Sequence, residues 1–198
     1  MGEYRCEGIG SVNGGIYDKL HVEGVFTAKG PIKANQLSGE GVMKFSALSA
    51  ETLTLEGVTK VNGLLEAGDC NSEGVLKAGA IIVSGNLYSD GVVNTSMLQA
   101  DNATLVHNKK KESIRPFTRI RAFFSGRDIQ EENDAKIRDI EANKLVIEDY
   151  SVQKITGKDI VIGKGCVVDK VIATASLKIH KSAQVKDFIG SVMPEYVG

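Results

Sequence analysis

The chain has no tryptophan, only three prolines and few aromatic side chains, which make up 6% of its 198 residues. Glycine, by contrast, occurs 22 times, and valine and isoleucine are abundant. β-Branched residues favour strands, and frequent glycine is typical of the tight corners between them. The composition therefore indicates many short strands and argues against a helical bundle.

Cysteine is also scarce, with three residues that share no metal-ligand spacing: Cys6, Cys70 and Cys166. An odd, dispersed set argues against a disulfide framework and favours a reducing compartment. The formal net charge of −1 implies no overall attraction to nucleic acid or to an anionic membrane. No stretch approaches the roughly 20 apolar residues of a membrane-spanning helix, so we expect a soluble, cytoplasmic protein.

A short phrase, an acidic residue followed by Gly-Val, recurs through the first half of the chain. The copies are Glu23-Gly24-Val25, Glu40-Gly41-Val42, Glu56-Gly57-Val58, Glu73-Gly74-Val75 and Asp90-Gly91-Val92, and a weaker forerunner, Glu7-Gly8-Ile9, precedes them. Successive copies lie about 17 residues apart, and self-similarity at a fixed short period predicts a solenoid.

Other apolar positions keep the same register. One column consists of Leu20, Leu37, Leu53, Cys70 and Leu87. A second consists of Ile32, Leu48, Leu65 and Ile82, followed two places later by Ala34, Ala50, Ala67 and Ser84. Apolar residues alternate with period two, and about 17 residues are too few for a pair of helices. We therefore predict a parallel β-helix in which each turn rises by about 4.8 Å and Cys70 is a buried thiol.

The repeat breaks at residues 108–137 and resumes in a different form. The later motifs are Leu145-Val146-Ile147, Ile160-Val161-Ile162 and Leu177-Lys178-Ile179, each followed by a valine, at Val152, Val167 and Val185. The chain thus divides into an N-terminal set of turns (1–107), an inserted segment (108–137) and a C-terminal set of turns (138–198). We expect one continuous solenoid from which the insert loops out.

The insert is basic and aromatic. Its cations include Lys109, Lys110, Lys111, Arg115, Arg119, Arg121 and Arg127, with Phe117, Phe123 and Phe124 between them. One interpretation is a loop packed on the solenoid with a solvated charged face. The other is a contact site for an anionic membrane surface or an acidic protein partner. We do not expect nucleic acid among the partners.

No catalytic, cofactor or metal site is predicted. The phosphate-binding pattern G-x-x-x-x-G-K-[ST] is absent, and the glycines of residues 162–167 lie between strands. His21 and His180 alternate with apolar neighbours, which favours solvated positions. A calcium-binding β-helix needs a denser Gly/Asp pattern than the acidic column provides. We interpret these acidic residues as outward-facing corner residues.

The ends of a solenoid expose a turn of unpaired backbone groups, which can accept further β-structure. The N-terminal end offers Ile9 and Ile16 among glycines, and the C-terminal end offers Phe188 and Ile189 before Pro194. Neither end carries an obvious block of charge, proline or helix. These four residues are therefore our candidates for self-association, which gives a closed pair or a filament depending on which ends meet.

With these features the chain resembles the bactofilins, bacterial cytoskeletal proteins that form polymers. The resemblance rests on the rungs from Gly24 to Val93, the leader at residues 14–24, and residues 157–166, which are similar to longer, two-part bactofilin-like proteins. It implies a right-handed, three-faced β-helix that polymerises through its ends without nucleotide. It also implies a scaffold role in cell shape, motility or envelope processes, sometimes at the inner face of the membrane. Hydrophobic residues of the terminal turns carry polymerisation in that family, which corresponds to Phe188 and Ile189 here, with Ile9 and Ile16 opposite.

The leading hypothesis is a non-enzymatic scaffold whose main partner is a further copy of itself. One alternative is a β-helical acyltransferase of the hexapeptide-repeat class, although that fold needs about 18 residues per turn. A third is a monomeric adaptor that binds a membrane or a partner through residues 108–137. The basic insert and the scarcity of proline depart from typical bactofilins, which have an uninterrupted β-helix and disordered tails.

Overall fold

Parallel strands stacked on one another build the chain from end to end. The computed structural model describes residues 2–107 and 135–198, and these residues form strands and corners but no helix. The strands are β1 (Glu3–Val12), β2 (Gly15–Ala28), β3 (Ile32–Phe45), β4 (Leu48–Val106), β5 (Lys136–Glu148), β6 (Ser151–Ile162), β7 (Val167–His180), β8 (Gln184–Gly190) and β9 (Glu195–Val197). Strand β4 is 59 residues long because the pairing between successive turns continues through its corners.

The pairing shows how these strands coil. Strands β1 to β8 pair in chain order within one sheet, β9 pairs with β7, and each pairing is parallel. Glu3 lies opposite Lys19 and Gly15 lies opposite Ile32, so each residue faces the equivalent position of the next turn. The sheet therefore winds into a solenoid of about 10 turns. This confirms the predicted all-β parallel β-helix.

The two sets of turns belong to the same sheet. Strand β4 pairs directly with β5, so that Thr95 lies opposite Ile137 and Val106 lies opposite Glu148. The buried side chains on either side of this junction form a single cluster that runs from Cys6 to Ile179. The intervening segment is thus an insertion at one corner of a continuous solenoid.

Buried columns fill the interior. The predicted leucine column is buried at each position, Cys70 included: Leu20, Leu37, Leu53, Cys70 and Leu87. The valines of the repeated phrase behave differently, because Val25, Val42 and Val58 are only half-buried. The position that follows each of them is fully buried, as in Phe26 and Met43. The first three valines therefore lie on the outside of the corner, and the next residue turns into the core.

Two predicted inward positions were wrong by one residue. Ile81 and Val83 are buried, whereas Ile82 is half-buried and Ser84 is exposed. In the C-terminal set, Val168 lies opposite Val152 in the core, and Val167 is exposed. The turns differ slightly in length, and corners absorb the difference. A prediction that uses one fixed spacing therefore selects, in some turns, the residue next to the one that faces the core.

Glycine at the repeated corner is required by the backbone. Gly41 and Gly57 have φ angles of 116° and 101°, in a region that residues with a Cβ rarely adopt. A Cβ on Gly57 would also collide with the carbonyl oxygen of Gly41 in the turn below. The corner glycines therefore let consecutive turns approach to β-sheet distance.

Candidate functional site

The C-terminal end of the solenoid is an incomplete turn. Strands β8 and β9 pair with β7, and no described strand follows them. Phe188 lies opposite Val171, in the inward column. Val171 is fully buried, whereas Phe188 leaves 42% of its surface exposed because no described turn covers it. This end therefore presents a core side chain to solvent.

Other apolar side chains extend this surface. Tyr196 lies opposite the buried Ile179 and is largely exposed. Ile189 lies opposite Ile172, in an outward column, and borders the end from the side. We refer to Phe188, Ile189 and Tyr196 as the C-terminal patch. The outer edges of β8 and β9 are the kind of edge to which another strand can add.

Aromatic rings cover the opposite end. The ring centroids of Tyr4 and Tyr17 are 5.8 Å apart, and those of Tyr4 and Phe26 are 6.4 Å apart. Phe45 continues the series at 5.9 Å from Phe26. These tilted pairs are a favourable arrangement for aromatic side chains, and Phe26 and Phe45 are almost completely buried. The N-terminal end thus presents the half-buried rings of Tyr4 and Tyr17 above this buried aromatic core.

The isoleucines predicted to act at the N-terminal end face sideways. Ile9 lies opposite Val25 in the corner column and is 89% exposed. Ile16 lies opposite Lys33, is 57% exposed and lines a lateral groove of about 450 Å³. Of the four predicted self-association residues, Phe188 is therefore the one that continues an inward column to a terminal surface.

The six cations predicted to contact a membrane or a partner, Lys109, Lys110, Lys111, Arg115, Arg119 and Arg121, lie outside the described residues, and their role stays a prediction. Across the part of the chain that the structure describes, no helix is long and apolar enough to cross a membrane.

Sequence reasoning missed an internal brace at the insertion corner. Tyr150 is 1% exposed, and its hydroxyl reaches back to an earlier turn. It donates a hydrogen bond to the carbonyl oxygen of Gly91 at 2.8 Å and accepts one from the N–H of Val93 at 3.2 Å. The ring of His107 meets the Tyr150 ring edge-on, with centroids 6.1 Å apart. Tyr150 thus ties the turns before the insert to those after it.

The environment of Tyr150 keeps this brace intact over a wide pH range. Burial raises the pKa of its hydroxyl, so the group stays protonated and able to donate. Buried backbone N–H and C=O groups need hydrogen-bond partners. For the C=O of Gly91 and the N–H of Val93, the hydroxyl of Tyr150 is such a partner. The sequence offered one hint of this brace, a tyrosine at the corner between β5 and β6. The turn of the solenoid that ends at this corner is short, since Lys136 lies opposite Ser151, 15 residues later.

The cysteines are core side chains. Cys6, Cys70 and Cys166 are free and buried. Burial raises the pKa of the Cys70 thiol to about 12, and burial likewise raises that of Cys166. A thiol nucleophile needs an accessible thiolate, so neither residue is suited to that chemistry.

Polar side chains form short ladders along the outside. Asp69 accepts hydrogen bonds from the backbone N–H of Asn86 at 2.8 Å and from its side chain at 3.0 Å, which lowers the pKa of Asp69. Asn102 donates in turn to Asn86 at 3.1 Å. His21 and Ser38 pair in the same way at 2.8 Å, on an outward position as predicted. These contacts link consecutive turns.

The acidic residues of the phrase stack in register, with Glu7 opposite Glu23, and Glu40 opposite both Glu23 and Glu56. The glutamates are exposed, as predicted for corner residues, and Asp90 is half-buried. In the described ranges, no group of three or more His, Cys, Asp and Glu residues is arranged to hold a metal ion.

Comparison of the chain with protein-family models, curated proteins and solved structures finds no match. The features that bear on function are therefore the solenoid itself, its two unlike ends and its outward columns.

Proposed function

We propose that this protein is a structural scaffold that associates end to end into polymers without nucleotide, in the manner of the bactofilins that its sequence resembles. The observation that carries the proposal is the C-terminal end, where Phe188 continues the inward column and remains exposed. A parallel β-solenoid adds each turn onto the edge of the previous one. An unblocked edge with an exposed core residue is therefore suited to receive a second copy.

The shape of the repeat supports this role over the enzymatic alternative. Its turns of about 15 to 17 residues differ from the strict six-residue repeat of hexapeptide acyltransferases. The buried thiols act as packing groups, and the outward histidine His21 pairs with Ser38. The chemistry of the described residues is thus that of stacking and edge pairing.

The test is the replacement of Phe188 by arginine. Full burial of a phenylalanine side chain stabilises by roughly 1.5–3 kcal/mol, and a tenfold change in an equilibrium constant corresponds to about 1.4 kcal/mol. Phe188 is already more than half buried, and the 42% that stays exposed corresponds to roughly 0.6–1.3 kcal/mol of this stabilisation. Phe188→Arg should therefore raise the concentration needed for polymerisation by about three- to tenfold, and by more where the new charge at the junction adds to the loss. Light scattering and negative-stain electron microscopy without nucleotide would measure this.

Met97→Arg is the matched control, because Met97 is exposed to a similar degree but lies on the side of the solenoid. It should polymerise like the wild-type protein. A wild-type protein that stays monomeric at high concentration would contradict the proposed function. Equal polymerisation of wild type and Phe188→Arg would contradict the proposed interface.

A further inference from the structure

Three consecutive turns carry an acidic and a basic residue on either side of the same corner. The motif Glu-Gly-Val-x-Lys occurs at residues 40–44, 56–60 and 73–77. In the first two turns the register places Glu40 opposite Glu56 and Lys44 opposite Lys60. The carboxylates thus form one column and the ammonium groups another, each with the spacing of neighbouring strands, about 4.8 Å.

A valine ridge separates the two columns. It consists of Val25, Val42 and Val58, which are stacked in register and half-buried at the outside of the corner. Glu40 and Lys44 are exposed on its two sides, and the glycine between Glu40 and Val42 provides the turn. The corner therefore presents a negative strip, an apolar strip and a positive strip side by side.

In the two turns that begin this motif at Glu40 and Glu56, the charges of the strips are not neutralised by ion pairs with described side chains. In residues 2–107 and 135–198, the ion pairs involve other side chains, and Glu40, Glu56, Lys44 and Lys60 take part in none of them. Like charges stacked directly opposite each other destabilise a sheet. A partner that faces each column with the opposite charge would remove that cost.

A second copy of the chain has the required pattern. A twofold axis parallel to the solenoid axis sets two corners against each other so that the valine ridges meet. The same operation places the glutamate column of one copy against the lysine column of the other, on both sides of the ridge. An antiparallel arrangement instead sets glutamate against glutamate and lysine against lysine. The charge pattern thus selects side-by-side pairing with parallel axes.

We propose that this corner is a lateral self-association surface through which polymers of the protein align in parallel. The inference rests on the proposed end-to-end polymer, because one corner contact between exposed charges is weak. A polymer repeats the contact once per copy, and linked weak contacts add to a strong overall attachment. The contact is also sensitive to salt, since the screening length falls from about 10 Å at 0.1 M to about 3 Å at 1 M.

The test separates filaments from bundles by centrifugation. High speed pellets single filaments, and low speed pellets only bundles. The Lys44→Glu/Lys60→Glu variant should lose the low-speed pellet and keep the high-speed pellet. The Glu40→Lys/Glu56→Lys variant should behave in the same way, and mixing preformed filaments of the two variants should restore the low-speed pellet. Salt near 1 M should dissolve wild-type bundles.

The matched control is Lys154→Glu/Lys170→Glu, which reverses two lysines stacked in register on another column. It should bundle like the wild type. Carbodiimide treatment of mixed isotope-labelled and unlabelled protein should join Glu40 to Lys44, or Glu56 to Lys60, of different copies. Any one of four results would overturn the lateral surface alone. They are wild-type filaments without bundles, bundles that survive the Lys44→Glu/Lys60→Glu change, mixed variants that stay apart, and the absence of such a cross-link. The lack of any high-speed pellet would instead overturn the end-to-end polymer and this inference with it.

Discussion

Replacing Tyr150 by phenylalanine removes one oxygen atom from the interior of the solenoid and leaves the ring in place. That oxygen is the hydrogen-bond partner of two backbone groups, the carbonyl of Gly91 and the N–H of Val93. Leaving a buried polar group without a partner costs about 1–3 kcal/mol. Two such groups would cost about 2–6 kcal/mol, and because the Gly91 contact is only partly buried, we expect the free energy of unfolding to fall by roughly 2–4 kcal/mol.

The loss should be visible both globally and at the site. For a chain of this size, 1 kcal/mol corresponds to roughly 2–4 °C in Tm, so a drop of about 5–15 °C is expected. Hydrogen exchange measured by NMR gives the local effect. The amide of Val93 should exchange at least about tenfold faster in Tyr150→Phe, since each 1.4 kcal/mol corresponds to a factor of ten.

Tyr88→Phe is the control for this experiment. Tyr88 is 45% exposed on the outside of the solenoid, and surface changes of this kind usually stay within about 0.5 kcal/mol. If Tyr150→Phe unfolds at the same denaturant concentration as Tyr88→Phe, and Val93 exchange is unchanged, the hydroxyl does not brace the insertion corner.

Two further predictions concern the corners and the core. Gly57→Ala should lower stability by roughly 1–3 kcal/mol, because Gly57 has φ 101° and faces the Gly41 carbonyl, whereas Gly2→Ala, in open space, should change nothing. Thermal unfolding followed by circular dichroism measures this difference. Equal Tm values for the two variants would contradict the requirement for glycine at this corner. The raised pKa of Cys70 means that only the unfolded thiol ionises above about pH 9, so stability should fall with rising pH by about 1.4 kcal/mol per pH unit through this group. Denaturation between pH 9 and 10.5 should show a shallower fall for Cys70→Val than for wild type, and equal slopes would contradict the assignment.

The columns could be predicted from the sequence where side-chain chemistry repeats strictly. The leucine column kept its register through Cys70, because every turn places an apolar side chain at this buried position. The predicted inward position failed at Ile82, where the neighbour Ile81 is the buried residue, and the recurring valine at Val167 lies beside the buried Val168. The length of the turns varies slightly there. Because two aliphatic residues stand next to each other at both places, the residue types do not show which of the two faces the core.

The ends were harder to predict than the columns. Ile9 and Phe188 are both exposed apolar residues of terminal turns, yet one lies on the corner and the other in the inward column. Which face a residue occupies in a terminal turn depends on the backbone at the preceding corner. The Tyr150 brace was also beyond sequence reasoning, because its partners are backbone groups 57 and 59 residues away. Backbone partners leave no trace in residue type.

The direction of the hydrogen bonds has a mechanical consequence. In this solenoid the hydrogen bonds between successive turns run along the long axis. A force that pulls on the two ends is therefore carried by every boundary between turns in series. The weakest boundary then sets the tensile strength of the whole rod. At the insertion corner the boundary relies on one tyrosine hydroxyl for the groups of Gly91 and Val93. The insertion junction still has ten paired residues, whereas β7 has six with β8 and three with β9, so under load we expect the C-terminal boundary to part first and Tyr150→Phe to weaken the insertion junction.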